Sequence, residues 1–221
     1  MKKSLKKLQK ILIEKKLIGD IDSKLVILFT LILLLSMLAG SIYANYINLS
    51  IIKKLDVLFL SDFDNRNTEG AIYTFISSFS SNFLLWIGMV FLSTSLFGVL
   101  LTPLILIFRG IGLGLTARYL YLIYSFKGIV FYILVLLPGI LMSSICFIFL
   151  LINSEKFSTK VTKRFLSKAT QPSLWNDIII YVKKSGFILF VLAVSSVCDM
   201  IFMKLFSKLF RRFPDVSLIF T

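Results

Sequence analysis

Residues 71–108 read AIYTFISSFSSNFLLWIGMVFLSTSLFGVLLTPLILIF and contain no charged side chain. A bilayer's hydrocarbon core is ~30 Å thick, and ~20 apolar residues of helix cross it. No soluble domain needs a charge-free run this long, so the stretch assigns the chain to the membrane. Outward from it, residues 25–52 and 128–154 are also free of charge, and 57% of the 221 residues are hydrophobic. These runs predict an all-α, polytopic integral membrane protein with about five transmembrane helices. They leave room for little else.

The net charge is +14, from 25 Lys and Arg against 11 Asp and Glu. In a soluble protein such an excess points to nucleic acid. Beside apolar spans it orients the protein and touches anionic lipid, so no nucleic-acid partner is expected. Histidine is absent, which removes the commonest metal ligand and general base. Cys146 and Cys198 lie in apolar runs far apart in sequence, as buried free thiols rather than a disulfide or a metal site. No Walker-type phosphate loop occurs. The expectation is no catalytic site, no metal, no cofactor and no enzymatic activity.

Residues 1–23 read as a basic cytoplasmic head. Leu5, Leu8, Ile11, Leu12 and Ile18 share one helical face, and Lys2, Lys3, Lys6, Lys7 and Lys10 the other. Such a helix either lies in the interface on lipid headgroups or serves only as a topology signal. Eight lysines up to Lys24 place the N-terminus in the cytoplasm. Residues 24–205 then form the transmembrane domain, and 206–221 a basic tail. Span 1 covers 24–46. Its Ala39-Gly40-Ser41 faintly resembles a signal-peptide cleavage site, but the long basic region and the spans that follow favour an uncleaved anchor.

Residues 47–81 read as the main external loop, with Asp56, Asp62, Asp64 and Glu69. Residues 62–67 lack the Gly and distal Glu of a calcium loop, so a solvated loop is the default. Within the quoted stretch, residues 72–82 are expected along the outer surface and span 2 at 83–108. Gly88 and Gly98 offer close packing there, and Pro103 a kink at the cytoplasmic end.

Residues 109–127 admit two readings, a short third span or a re-entrant helix. Gly110 and Gly114, extended by Ala117, form a small-residue face that lets helix backbones approach closely. Arg118 is costly in lipid and either faces a partner or snorkels to the interface. Span 4 covers 129–152 and is interrupted by Pro138-Gly139, either as a packing kink or as an opening of the kind found at transport sites. Residues 153–184 are strongly basic and read as a cytoplasmic amphipathic linker, with Trp175 and Tyr181 as interface anchors. Span 5 covers 185–203. Its Asp199 either forms a polar site with Arg118 or Lys204 as partner, or reaches the outer interface. Five crossings put the basic tail outside, against the positive-inside rule; a re-entrant 109–127 would move the linker outside, which the charges oppose more strongly.

This arrangement resembles the stage II sporulation protein M family, small five-span proteins of Gram-positive bacteria. The resemblance covers residues 25–205. It rests on Leu38-Ala39-Gly40-Ser41 closing span 1 and on Asn82 within Ser-Ser-Asn-Phe-Leu-Leu-Trp. Pro103-Leu-Ile-Leu-Ile running into Gly110-Ile-Gly112-Leu-Gly114-Leu-Thr, Lys127-Gly128 before Leu136-Leu137-Pro138, and the acid Asp199 complete it. The chain departs from the pattern after Pro138, where many members carry Gln-Asn or His-Gly followed by Glu and this one has Gly139-Ile140-Leu141-Met142.

The resemblance implies a non-enzymatic scaffold of forespore engulfment in the bacterial cytoplasmic membrane. Its implied partners are the peptidoglycan-cleaving stage II sporulation proteins D and P. On that reading Gly110, Gly114, Ala117 and Pro138 are candidate packing or partner contacts, and Asn82, Arg118 and Asp199 candidate intramembrane polar residues. Other membrane proteins, the bilayer itself and a second copy of the chain are the expected partners. The alternative is a transporter, either a stand-alone carrier or the membrane subunit of an ATP-driven pump that docks its ATPase on the basic linker.

Overall fold

A computed structural model describes residues 23–46, 71–95, 97–166 and 174–210. Its elements are α1 (Ser23–Tyr43), α2 (Ala71–Ser93), α3 (Gly98–Phe131), a π-helical turn (Tyr132–Leu136), α4 (Leu137–Leu166) and α5 (Leu174–Phe210), with no strand among the described residues. Among the described residues, five segments are long and apolar enough to cross a bilayer: Ser23–Tyr43, Ile72–Ser93, Gly98–Leu122, Gly128–Arg164 and Trp175–Leu205. The protein is an all-α, multi-pass membrane protein. The basic head, the acidic residues of the external loop and the end of the tail lie outside the described residues.

The span count matches expectation, but the quoted stretch divides differently. Residues 72–82 are not a surface segment. They begin α2, and the chain turns back at Thr94–Phe97. Residues 71–108 are nearly twice the length of one crossing, and Ser93-Thr94-Ser95 supplies hydroxyls that cap a turn. Thr94 Oγ1 donates to Phe91 O at 2.7 Å, and Ser158 Oγ to Ser95 O at 3.3 Å. A Cβ at Gly98 would meet Ser158 Oγ at 2.6 Å and Leu92 O at 2.7 Å, so the hairpin closes only around glycine. Pro103 consequently falls in the second turn of α3, not at the end of span 2.

Residues 109–127 are neither a separate short span nor a re-entrant loop. Residues 109–122 are the second half of a crossing that runs Gly98–Leu122, and 123–127 follow it. The break that ends it is Ser125, with φ 52° and ψ −134°, a conformation that side chains rarely adopt. Beyond it, the Pro138-Gly139 interruption leaves the helix continuous. Proline lacks an N–H and its ring clashes with the preceding turn. The strain is taken up one turn earlier, where Leu137 N–H reaches back to Tyr132 O and the helix widens into a π turn.

The basic linker is also corrected. Residues 153–166 continue α4 and 174–184 begin α5; only 167–173 fall outside the described residues. Trp175 is 67% exposed, as an interface anchor is, whereas Tyr181 is buried at 5%. Tyr181 Oη accepts a bond from Ser93 Oγ at 2.8 Å and lies 3.0 Å from Ser154 Oγ. Its ring stacks on Phe157 at 4.5 Å. Tyr181 thus ties α2, α4 and α5 together rather than holding the bundle to the interface.

Helices α1 and α3 pack by backbone contact. A Cβ on Gly110 would overlap Ser36 Oγ, one on Gly114 would overlap Met37 O, and one on Gly40 would overlap Ile111 O. The two helices present small residues to each other at the same level, which is how helices gain contact in lipid. Gly110 and Gly114 thus pack within the chain, against α1.

The core has two main apolar layers. One gathers Phe29, Leu33, Met89, Leu106, Phe147, Leu150, Leu151 and Leu192. The other gathers Ala44, Leu115, Tyr119, Leu120, Phe131, Val135, Leu136 and Met203. On α3 the residue between the layers is Arg109, on α4 it is Ser143, and on α5 it is the stretch from Ser195 to Asp199.

Candidate polar site at the bundle centre

Arg109 sits near the middle of the Gly98–Leu122 span and is 7% exposed. The sequence reading placed it just beyond span 2, at the start of the ambiguous 109–127 segment, and gave it no role. Once 71–108 is divided into two crossings, the first charge after it falls at the midplane. The length of that run was the available signal.

An arginine keeps its charge at any accessible pH, and a charge in lipid is costly unless it is paired and turned inward. The neighbours of Arg109 meet that demand. Nη1 donates to Asn82 Oδ1 on α2 at 3.0 Å, and Nη2 donates to Ser143 Oγ on α4. The guanidinium lies over the Phe147 ring, 4.4 Å from its centroid. The Asp199 carboxylate of α5 acts on it electrostatically. One side chain therefore joins α3 to α2 and α4 by hydrogen bonds and to α5 by charge.

Gly139 makes the approach of Asp199 to α4 feasible, because a Cβ there would overlap the Asp199 carboxylate. Its carbonyl accepts from Ser143 Oγ and from Ser195 Oγ, both at 2.9 Å. The Pro138-Gly139 pair thus has two structural consequences: the proline widens the preceding turn and the glycine admits the acid. Arg109 Nε, Tyr132 Oη and Ser144 Oγ are buried without a hydrogen-bond partner among the described residues, so the layer holds more polar atoms than it pairs.

Of the residues singled out from sequence, Asn82 and Asp199 enter this layer. Arg118 does not. Its Nε donates to Asn45 Oδ1 at 2.9 Å, where α1 ends, and its guanidinium lies 4.9 Å over Tyr121. Arg118 lies near the end of the Gly98–Leu122 crossing and Arg109 near its middle. Gly110, Gly114 and Ala117 lie on the side of α3 that faces α1 and the second apolar layer. Cys146 is buried and Cys198 half-buried, both as free thiols. Among the described residues no three His, Cys, Asp or Glu side chains gather as a metal site.

No family model, curated protein or solved structure matches the chain.

Proposed function

We propose that the protein is a non-catalytic membrane scaffold. The observation that carries this reading is the Arg109 clamp: its guanidinium is engaged by Asn82, Ser143 and Phe147. A charge committed to its own bundle rigidifies the helices. That leaves the outer apolar faces of α1, α2 and α5 for lipid and partner spans. Ile27, Leu38, Ile72, Leu84, Phe91, Phe187 and Phe190 are all more than half exposed on those faces.

The chain would lie in a bacterial cytoplasmic membrane with the N-terminus inside. The positive-inside rule supports this, because Lys156, Lys160, Lys163, Arg164, Lys183 and Lys184 share the end of the bundle where α1 starts. The resemblance to the stage II sporulation protein M family supplies the biological setting: recruitment of peptidoglycan-remodelling partners during forespore engulfment. Its motif asparagine, Asn82, is the residue that anchors the clamp.

A transporter component is the second reading. It is favoured by the surplus of polar atoms at the midplane, Arg109 Nε and Tyr132 Oη among them, next to a π turn of the kind common at functional sites. Affinity purification of the tagged protein from native membranes of growing and sporulating cells, with mass spectrometry, separates the two. Recovery of cell-wall hydrolases or sporulation proteins is expected. Recovery of an ATPase subunit without them would replace the scaffold by the transporter.

A further inference from the structure

At the basic end of the bundle, α1, α4 and α5 enclose a cavity of about 490 Å³. Lys156 and Lys160, one turn apart on α4, line it with Lys184 of α5. The charges of Lys156 and Lys160 bear on Lys184, so three like charges are held within electrostatic reach of one another. Two acids, Glu155 and Asp177, also line the cavity. Asp177 is already shared, at 3.2 Å from Lys160 Nζ and 2.6 Å from Arg164 Nη2. Arg164 keeps Nη1 buried with no hydrogen-bond partner among the described residues. The lining carries three cations against two carboxylates, and Arg164 beside it takes up part of the Asp177 charge, in a recess large enough for a small ligand.

The walls identify the kind of anion. Leu25 and Ile180 line the cavity beside the lysines. Ile180 is 42% exposed, and Ile27 on α1 is 66% exposed. The recess therefore adjoins the lipid-facing surface at the level where two spans begin and where Trp175 stands at the interface. A soluble anion has no use for an apolar wall; a phospholipid has a phosphate at one end and acyl chains at the other. The chain's own N-terminal head holds seven lysines against Glu14, Asp20 and Asp22, so its net charge has the same sign as the recess.

We propose that this cavity binds the phosphate headgroup of an anionic phospholipid, with Lys156, Lys160 and Lys184 around the phosphate and Leu25 and Ile180 along the first acyl carbons. Basic recesses between transmembrane helices hold anionic headgroups in this way. The inference is independent of the scaffold and transporter readings, neither of which uses these residues in lipid binding.

The test uses the full-length protein reconstituted in phosphatidylcholine vesicles containing a minority of phosphatidylglycerol. Native mass spectrometry after mild extraction counts retained lipids. Wild type is expected to retain phosphatidylglycerol in preference to phosphatidylcholine. The pair Lys156→Gln with Lys184→Gln is expected to lower that preference about tenfold. Lys184→Gln alone gives a smaller loss in the same direction, should the pair not fold. The pair Lys163→Gln with Lys183→Gln removes the same charge from exposed positions and is expected to keep the preference. Equal losses from both pairs would mean diffuse surface attraction and overturn the site. Displacement of the lipid by excess inorganic phosphate would make it a soluble-anion site and overturn the lipid assignment.

Discussion

Helix α3 is held to its neighbours in two physically different ways. Toward α1 it removes side chains: Gly110 and Gly114 let the backbone of α1 come close against Ser36 and Met37. Toward α2, α4 and α5 it adds a large charged one, Arg109, and lets Asn82, Ser143 and Asp199 converge on it. Both solutions answer the same problem. Lipid tails are as apolar as leucine, so apolar area alone does not tell one helix which neighbour to choose. The glycine contact selects by shape and tolerates no added atom. The arginine contact selects by polarity and tolerates some rearrangement, since each hydrogen bond in a membrane protein contributes only ~0.6 kcal/mol on average.

That difference ranks the mutations. Gly114→Leu is expected to have the largest effect, because its first added carbon already overlaps the Met37 carbonyl on a rigid helix backbone. Helix α1 must move away from α3, and the variant should give no monodisperse peak on size exclusion in mild detergent. A well-behaved Gly114→Leu protein would show that α1 is not docked as described. Next comes Arg109→Met, which removes the hydrogen bonds to Asn82 and Ser143 and the charge that acts on Asp199; hydrogen bonds from a charged group are among the stronger ones, and a loss of about 2–3 kcal/mol is expected. The measure is the midpoint of unfolding in mixed detergent and dodecyl sulfate micelles, followed by the fluorescence of Trp86 and Trp175. Adding Asp199→Asn to Arg109→Met should recover part of the loss, because the second change removes a carboxylate that the Arg109 charge no longer offsets. A double variant no better than the single would mean that the two charges do not act on each other.

How much of this was legible in the sequence follows the same division. Glycine pairs are visible as a spacing, so the close-packing face of Gly110 and Gly114 could be read directly, although its occupant could not. The spacing does not say that the partner is α1 of the same chain, because Ser36 and Gly40 are unremarkable within an apolar run. The five crossings were legible from length and charge alone. Their boundaries were not, because a hairpin within residues 71–108 carries no charge and no proline at its turn. That one misplaced turn moved Arg109 from the bundle centre to a boundary and left Arg118 as the apparent intramembrane charge. Asp199 was identifiable as an acid within a span, and Asn82 as a polar residue at the start of one. Their meeting on Arg109 depends on the relative depth of separate helices, which sequence periodicity does not encode.

Smaller effects probe the two ends of the bundle. Tyr181→Phe removes a hydroxyl that receives Ser93 and lies beside Ser154, two buried groups on two helices. The phenyl ring can keep its stack on Phe157, so a loss of about 1–2 kcal/mol is expected in the same unfolding assay. The double variant Ser93→Ala with Tyr181→Phe should lose less than the sum, since the bond is already absent.

Arg118→Gln is the smallest change and the sharpest control on the comparison. Arg118 and Arg109 lie on the same helix and carry the same charge. One bonds Asn45 at the exposed end of α1; the other is 7% exposed between two apolar layers. An exposed contact of this kind is worth less than ~1 kcal/mol, so Arg118→Gln should leave the unfolding midpoint close to that of wild type. Glutamine can still bond Asn45 while losing the charge over Tyr121, so any residual shift isolates the cation–π term. If Arg118→Gln instead cost as much as Arg109→Met, depth in the bilayer would not be what distinguishes the two arginines. The polar layer would then extend to the end of the Gly98–Leu122 crossing, and the proposed order of the crossings would have to be redrawn around it.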